Sequence, residues 1–187
     1  MKYTWNKMIN RVKLLNEDDN NNEAKEFLFS IMDRSVDATS LPQYMGDITC
    51  IDKYAFVGCT NLGLTSLPNS ITHINERGFA SCTSLELSML PSNIIYIGEA
   101  AFTGCSKLSL TSLPSSLDCI EVFAFCKCIN LTNLTFEGTP SFIGYSAFDG
   151  CTNLTTINVP WSEGEVANAP WGATNATINY DYVEPTE

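Results

Sequence analysis

The chain has 187 residues, of which 44% are apolar and 17% charged, and its net charge is −11 at pH 7. Such a composition supports one folded domain with an appendage and a largely neutral polar surface. The acidic balance repels a phosphate backbone, which argues against a nucleic-acid partner, and no run reaches the roughly 18 apolar residues of a membrane span, which argues against membrane insertion.

Residues 1–15, MKYTWNKMINRVKLL, interleave charges throughout and lack the apolar core of a secretory leader. Synthesis and folding in a cytoplasm are therefore expected, where thiols stay reduced and the eight cysteines need not form a disulfide framework. Met1, Trp5, Met8, Val12 and Leu15 fall at coiled-coil spacing over two heptads, which predicts a short N-terminal helix. Two roles stay open for it. Trp5, Met8, Val12 and Leu15 form an oligomerising seam, or the helix packs its apolar side on its own domain. Residues 16–23, NEDDNNNE, read as a solvated linker that completes an N-terminal unit of residues 1–23. The apolar stretch that follows makes 24–40 an N-terminal cap.

From residue 41 to 160 the chain repeats with a period of 23. Phe56, Phe79, Phe102, Phe125 and Phe148 keep that spacing, and so do Cys59, Cys82, Cys105, Cys128 and Cys151. Leu62, Leu85, Leu108, Leu131 and Leu154 form a third column, and Ile51, Ile74, Ile97, Ile120 and Ile143 a fourth. Four apolar columns in fixed phase over five copies define a solenoid, mainly β, in which each coil buries its apolar residues against its neighbours. Matched residues then lie one strand spacing apart, about 4.8 Å. The cysteine column is a stack of small inward apolar side chains. Side chains that run parallel lack the dihedral of a disulfide, so these thiols are expected to be free and inert.

The unit AFDGCTNLTTINVP at 147–160 resembles the BspA-like leucine-rich repeat family, with its Ala-Phe-x-x-Cys-x-x-Leu core and the Leu-Pro of Leu67-Pro68, Leu90-Pro91 and Leu113-Pro114. The resemblance covers residues 41–160. It implies a short strand after each Asn-Leu pair, joined into a concave parallel sheet, with the isoleucine column on the other side. Departures are Phe136-Glu137 in place of Leu-Pro, Lys127 in place of the small residue before the cysteine, and about three extra residues between Leu41-Pro42 and Ile51. A further irregularity concerns the residues that follow the column leucine. Leu64, Leu87 and Leu110 stand two places after it, whereas Leu134 and Ile157 stand three after. A shift of one residue reverses the face of a strand. Either the first three strands are kinked and these leucines buried, which is the expectation, or they form an exposed apolar ladder.

Residues 161–187 leave the period and bring Trp161, Trp171, Tyr180 and Tyr182, an aromatic cap for the open end of the last coil. The segment 159–182 also resembles one found in structural proteins of bacteriophages.

The pattern offers little for catalysis or for binding a metal or cofactor. His73 is the single histidine, Cys126-Lys127-Cys128 is a C-x-C without a second pair, and no glycine-rich phosphate loop is present. Asn130 and Asn153 sit in turns where a side-chain amide ties up backbone groups. What remains is a non-enzymatic binding module with small, polar, mostly uncharged candidates on the sheet: Thr65, Glu86, Ser88, Ser109, Thr111, Thr132, Asn133, Thr155, Thr156 and Asn158. Such a surface suits a protein or carbohydrate ligand. The resemblances together imply a phage virion component, a tail or capsid appendage assembled in the host cytoplasm that recognises a host surface and self-associates or joins the virion through its N-terminal helix. The alternative is a cytoplasmic protein-protein interaction scaffold.

Overall fold

The computed structural model describes residues 48–184. The expected helix and linker at 1–23, with Trp5, Met8, Val12 and Leu15, and the cap at 24–40 lie outside the described residues.

Five short strands share one parallel sheet: β1 (Cys50–Ile51), β2 (His73–Ile74), β3 (Tyr96–Ile97), β5 (Cys119–Ile120) and β7 (Phe142–Ile143), in that order. Cys50, His73, Tyr96, Cys119 and Phe142 lie side by side, as do the isoleucines that follow them. Each isoleucine is buried and the residue before it is turned outward, as the two-residue period of a strand requires. A second parallel sheet holds β4 (Ser112–Leu113), β6 (Asn133–Phe136), β8 (Thr156–Asn158) and β9 (Thr177–Asn179).

The second sheet differs from what the family resemblance implied, because the first two coils contribute no strand to it. The spacing of inward residues explains this. In the first three coils the buried pairs are Leu64 and Leu67, Leu87 and Leu90, and Leu110 and Leu113, each pair three residues apart. An odd spacing cannot be met by one alternating strand, so the backbone kinks between the two leucines, and of these three coils only the third forms a strand, β4, after the kink, where it pairs with the regular strand β6. Leu64 and Leu87 are fully buried and Leu110 is 2% exposed, in line with the kinked alternative. In the next two coils the buried pairs are Leu134 with Phe136 and Ile157 with Val159, two residues apart, and regular strands form.

Between the sheets each coil passes through a tight turn that carries the phenylalanine and the cysteine. Gly58, Ser81, Gly104, Lys127 and Gly150 recur there with φ of 72, 61, 73, 57 and 71°. This left-handed step helps aim alternate N–H groups along the stack. Phe56 and Gly58 donate to Gly78 and Ala80 of the next coil, while Ala55 and Cys59 donate within their own. A side chain in this conformation costs about 1–2 kcal/mol, which accounts for glycine at three of the five positions.

The phenylalanines stack face to face at 5.1, 5.6, 5.4 and 5.4 Å, with planes within 11° of parallel. The cysteines also do more than fill space. Cys82, Cys105, Cys128 and Cys151 donate their thiols to the carbonyls of Phe56, Phe79, Phe102 and Phe125, at 3.0–3.1 Å. Each of those carbonyls also accepts the N–H of the cysteine in its own coil. A buried carbonyl has two lone pairs, and the two donors come from successive coils.

At the C-terminus Trp161 is 2% exposed and Trp171 fully buried. They meet Phe136 at 5.1 and 6.2 Å and each other at 6.2 Å. The segment also adds a reduced further coil, because Ile178 of β9 pairs with Ile157 of β8. Within that coil Ala176 donates its N–H to Ala173 as Leu154 does to Cys151, so alanines stand where the repeat has leucine and cysteine.

Candidate functional site

On the side of the second sheet the polar candidates form a shelf. Thr65, Glu86, Ser88, Thr111, Thr132, Asn133 and Thr155 are exposed, and Ser109, Thr156 and Asn158 half-buried. Cross-strand register brings Asn133, Thr156 and Thr177 into one row and Thr135, Asn158 and Asn179 into another. Asn179 donates to Asn158 at 2.8 Å and Asn158 to Thr135 at 3.2 Å. Thr155 donates to the carbonyl of Thr132 at 3.3 Å. These side chains therefore join coil to coil as well as facing out.

A hollow of about 270 Å³ on this side is lined by Glu86, Lys107, Ser109 and Asn130. Lys107 Nζ lies 2.7 Å from Glu86 Oε1, and both side chains are about half exposed. Two candidates, Glu86 and Ser109, thus meet in one place, with a cation that sequence reasoning did not select. Asn130 is held by its amide on the Lys107 carbonyl, 3.3 Å, and Asn153 likewise on the Ile129 carbonyl, 2.8 Å. Thr111 and Thr132 do not line the hollow.

The isoleucine-side sheet carries a different surface. Tyr96 is half-buried, while Ile95, Phe123, Phe142 and Tyr145 are 44, 36, 39 and 62% exposed. Phe123 meets Tyr145 edge to face at 6.2 Å. Glu121 lies beside Tyr96 and Cys119, whose thiol is 3.8 Å from its Oε1. Its column neighbours are Gly98 and Gly144, whose backbones press against the coil before. His73 is half-buried, with Nδ1 2.8 Å from Thr72 Oγ1 and its ring 5.9 Å from Tyr96.

None of the eight cysteines is in a disulfide. Burial pushes the thiols of Cys105 and Cys151 up to about 12 and those of Cys82 and Cys128 up as well. Cys119 is pushed up to about 11 by burial and by Glu121. A thiol held protonated is a poor nucleophile and a poor ligand. Among the described residues no group of three or more His, Cys, Asp and Glu is placed to hold a metal ion, and no helix is long and apolar enough to cross a membrane.

The pattern of the BspA-type leucine-rich repeat region, in six copies, matches residues 25–168. The chain belongs to that family. BspA-type repeats are a binding and repeat fold, and the coils described above are of that kind. Among solved structures, a leucine-rich repeat protein of Bacteroides ovatus is 16% identical, with 75% of this chain and 59% of that one covered and a TM-score of 0.27. A leucine-rich cell surface protein of Faecalibacterium prausnitzii is 17% identical, with 84% and 63% covered and a TM-score of 0.37. The chain thus spans about 60% of the length of either. No curated protein matches it.

For this BspA-type repeat, sequence reasoning selected the polar shelf and missed Tyr96, Phe123, Phe142 and Tyr145. A signal existed. Aromatic residues stand at the outward position before the isoleucine in the third and fifth copies and in the turn after it in the fourth and fifth.

Proposed function

We propose that the chain is a non-enzymatic recognition module of the adhesion type, which binds a protein or a glycan on its threonine- and asparagine-rich side. One observation carries the reading. The column leucines are the same in five coils, whereas the outward position next to them reads Gly63, Glu86, Ser109, Thr132 and Thr155. A constant interior holds these varied groups at a fixed spacing of about 4.8 Å, so a ligand meets a rigid pattern and little ordering entropy is lost on binding. The shelf is polar and mostly uncharged, and the Glu86–Lys107 pair adds one carboxylate and one ammonium to its hollow. Shallow hydrogen-bonded contact of this kind fits sugar hydroxyls or a polar protein surface.

The setting we propose is a phage tail or capsid appendage that meets a host surface. The sequence likeness of 159–182 to phage structural proteins supports it.

The test applies the labelled full-length chain to intact bacterial cells and to immobilised envelope glycans. Saturable binding is expected to fall at least tenfold with Thr111→Arg and Thr132→Arg together. Binding that survives both arginines places the site elsewhere, and the absence of saturable binding to any cell or glycan removes the adhesion reading. The setting is tested separately by mass spectrometry of purified virions, and failure to find the chain there refutes it.

A further inference from the structure

The isoleucine-side sheet leaves an apolar face across its last three strands that the described residues do not cover. Tyr96, Cys119 and Phe142 are adjacent in register on β3, β5 and β7, and Ile95, Phe123 and Tyr145, within three residues of them along the chain or of the isoleucine that follows, are exposed. An apolar patch of this kind on a soluble chain marks a contact surface. Its charge has one sign. Residues 95–100, 118–123 and 141–146 contain Glu99, Asp118 and Glu121 and neither lysine nor arginine.

The complementary chemistry lies in the same sequence. Residues 1–15 hold Lys2, Lys7, Arg11 and Lys13, four of the ten cations of the chain, together with Trp5, Met8, Val12 and Leu15, and no carboxylate. We infer that residues 1–15 dock on this face of their own chain, apolar side chains on the aromatic row and cations toward Glu99, Asp118 and Glu121. The reach is sufficient. From β1 to β5 is three strand spacings, about 14 Å, and only nine of the residues between 15 and 48, when extended, span about 30 Å. A tether of this length also holds the segment at roughly millimolar effective concentration, which favours its own chain over a second copy. The polar shelf stays open to an external ligand, so the inference stands or falls apart from the proposed function.

A zero-length carbodiimide cross-linker applied to the full-length chain at micromolar concentration, followed by peptide mapping, tests it. The pairs Lys107–Glu86 and Lys53–Glu76, at 2.7 and 3.3 Å, cross-link in every folded variant and serve as internal standards. The expected products join Lys2, Lys7 or Lys13 to Glu99, Asp118 or Glu121 within the monomer. Glu99→Lys with Asp118→Lys, both at exposed positions, lowers their yield at least tenfold while the standards persist. Adding Lys7→Glu and Arg11→Glu restores a link of reversed polarity. Yields unchanged by the reversal, or links from the segment only to other carboxylates, overturn the inference. Links found only in dimers overturn it in favour of a second copy.

Discussion

Phe102→Ala tests the stacking argument at its centre. Phe102 has no exposed surface and lies between Phe79 at 5.6 Å and Phe125 at 5.4 Å, with planes tilted by 11 and 4°. Loss of a buried phenylalanine costs about 3–5 kcal/mol, and two aromatic contacts of about 0.5–1.5 kcal/mol each put this site at the upper end of that range. A solenoid is held by nearest-neighbour interfaces, so the change weakens two of them at once and uncouples the coils on either side. The assay is urea unfolding in a Trp5→Phe background, followed by far-ultraviolet circular dichroism and by tryptophan emission. The remaining tryptophans, Trp161 and Trp171, both sit in the C-terminal cap and report that end alone. The two probes are expected to coincide in the parent. In the variant the dichroism is lost first, because the C-terminal coils keep regular strands and the aromatic cap. A loss below about 1 kcal/mol with coincident probes would refute the nearest-neighbour account.

Other consequences follow from the buried groups. Because the thiols of Cys105 and Cys151 are pushed up to about 12, stability is fully present below about pH 9 and falls above it as the unfolded chain ionises first. Each such thiol contributes a slope of about 1.4 kcal/mol per pH unit between its unfolded and folded values, so the double change to alanine should flatten urea midpoints measured between pH 9 and 10; an unchanged slope contradicts the assignment. Trp161 Nε1 is buried without a hydrogen-bond partner, whereas Trp171 Nε1 donates to the Ala167 carbonyl at 2.7 Å. An unmet buried donor costs about 1–3 kcal/mol, so Trp161→Phe should lie within about 1 kcal/mol of the parent in urea titrations and Trp171→Phe well below it. Gly144 approaches the coil before so closely that a Cβ would lie 2.5 Å from the Val122 nitrogen. Gly144→Ala should therefore cost about 1–3 kcal/mol, a fall in Tm of about 3–10 °C by calorimetry for a domain of this size; an unchanged Tm would show that β5 and β7 can part without loss.

The sequence by itself determined the period, the four inward columns, the repeat family and the aromatic end. It could do so because burial in a solenoid is local: every coil needs the same few apolar groups at the same phase, and the pattern is written out five times. The role of Leu64, Leu87 and Leu110 was half legible. Their spacing announced an irregularity, but only the folded chain showed that the backbone kinks to bury them and so gives up a strand in the first two coils. The thiol bonds to the phenylalanine carbonyls were hidden, since each joins residues 26 apart and depends on where a buried lone pair points. The hollow at Glu86, Lys107, Ser109 and Asn130 and the aromatic row at Tyr96, Phe123, Phe142 and Tyr145 were likewise decided by tertiary structure. Outward residues obey no repeated burial rule, and their neighbours are set by the register of coils that only stacking establishes.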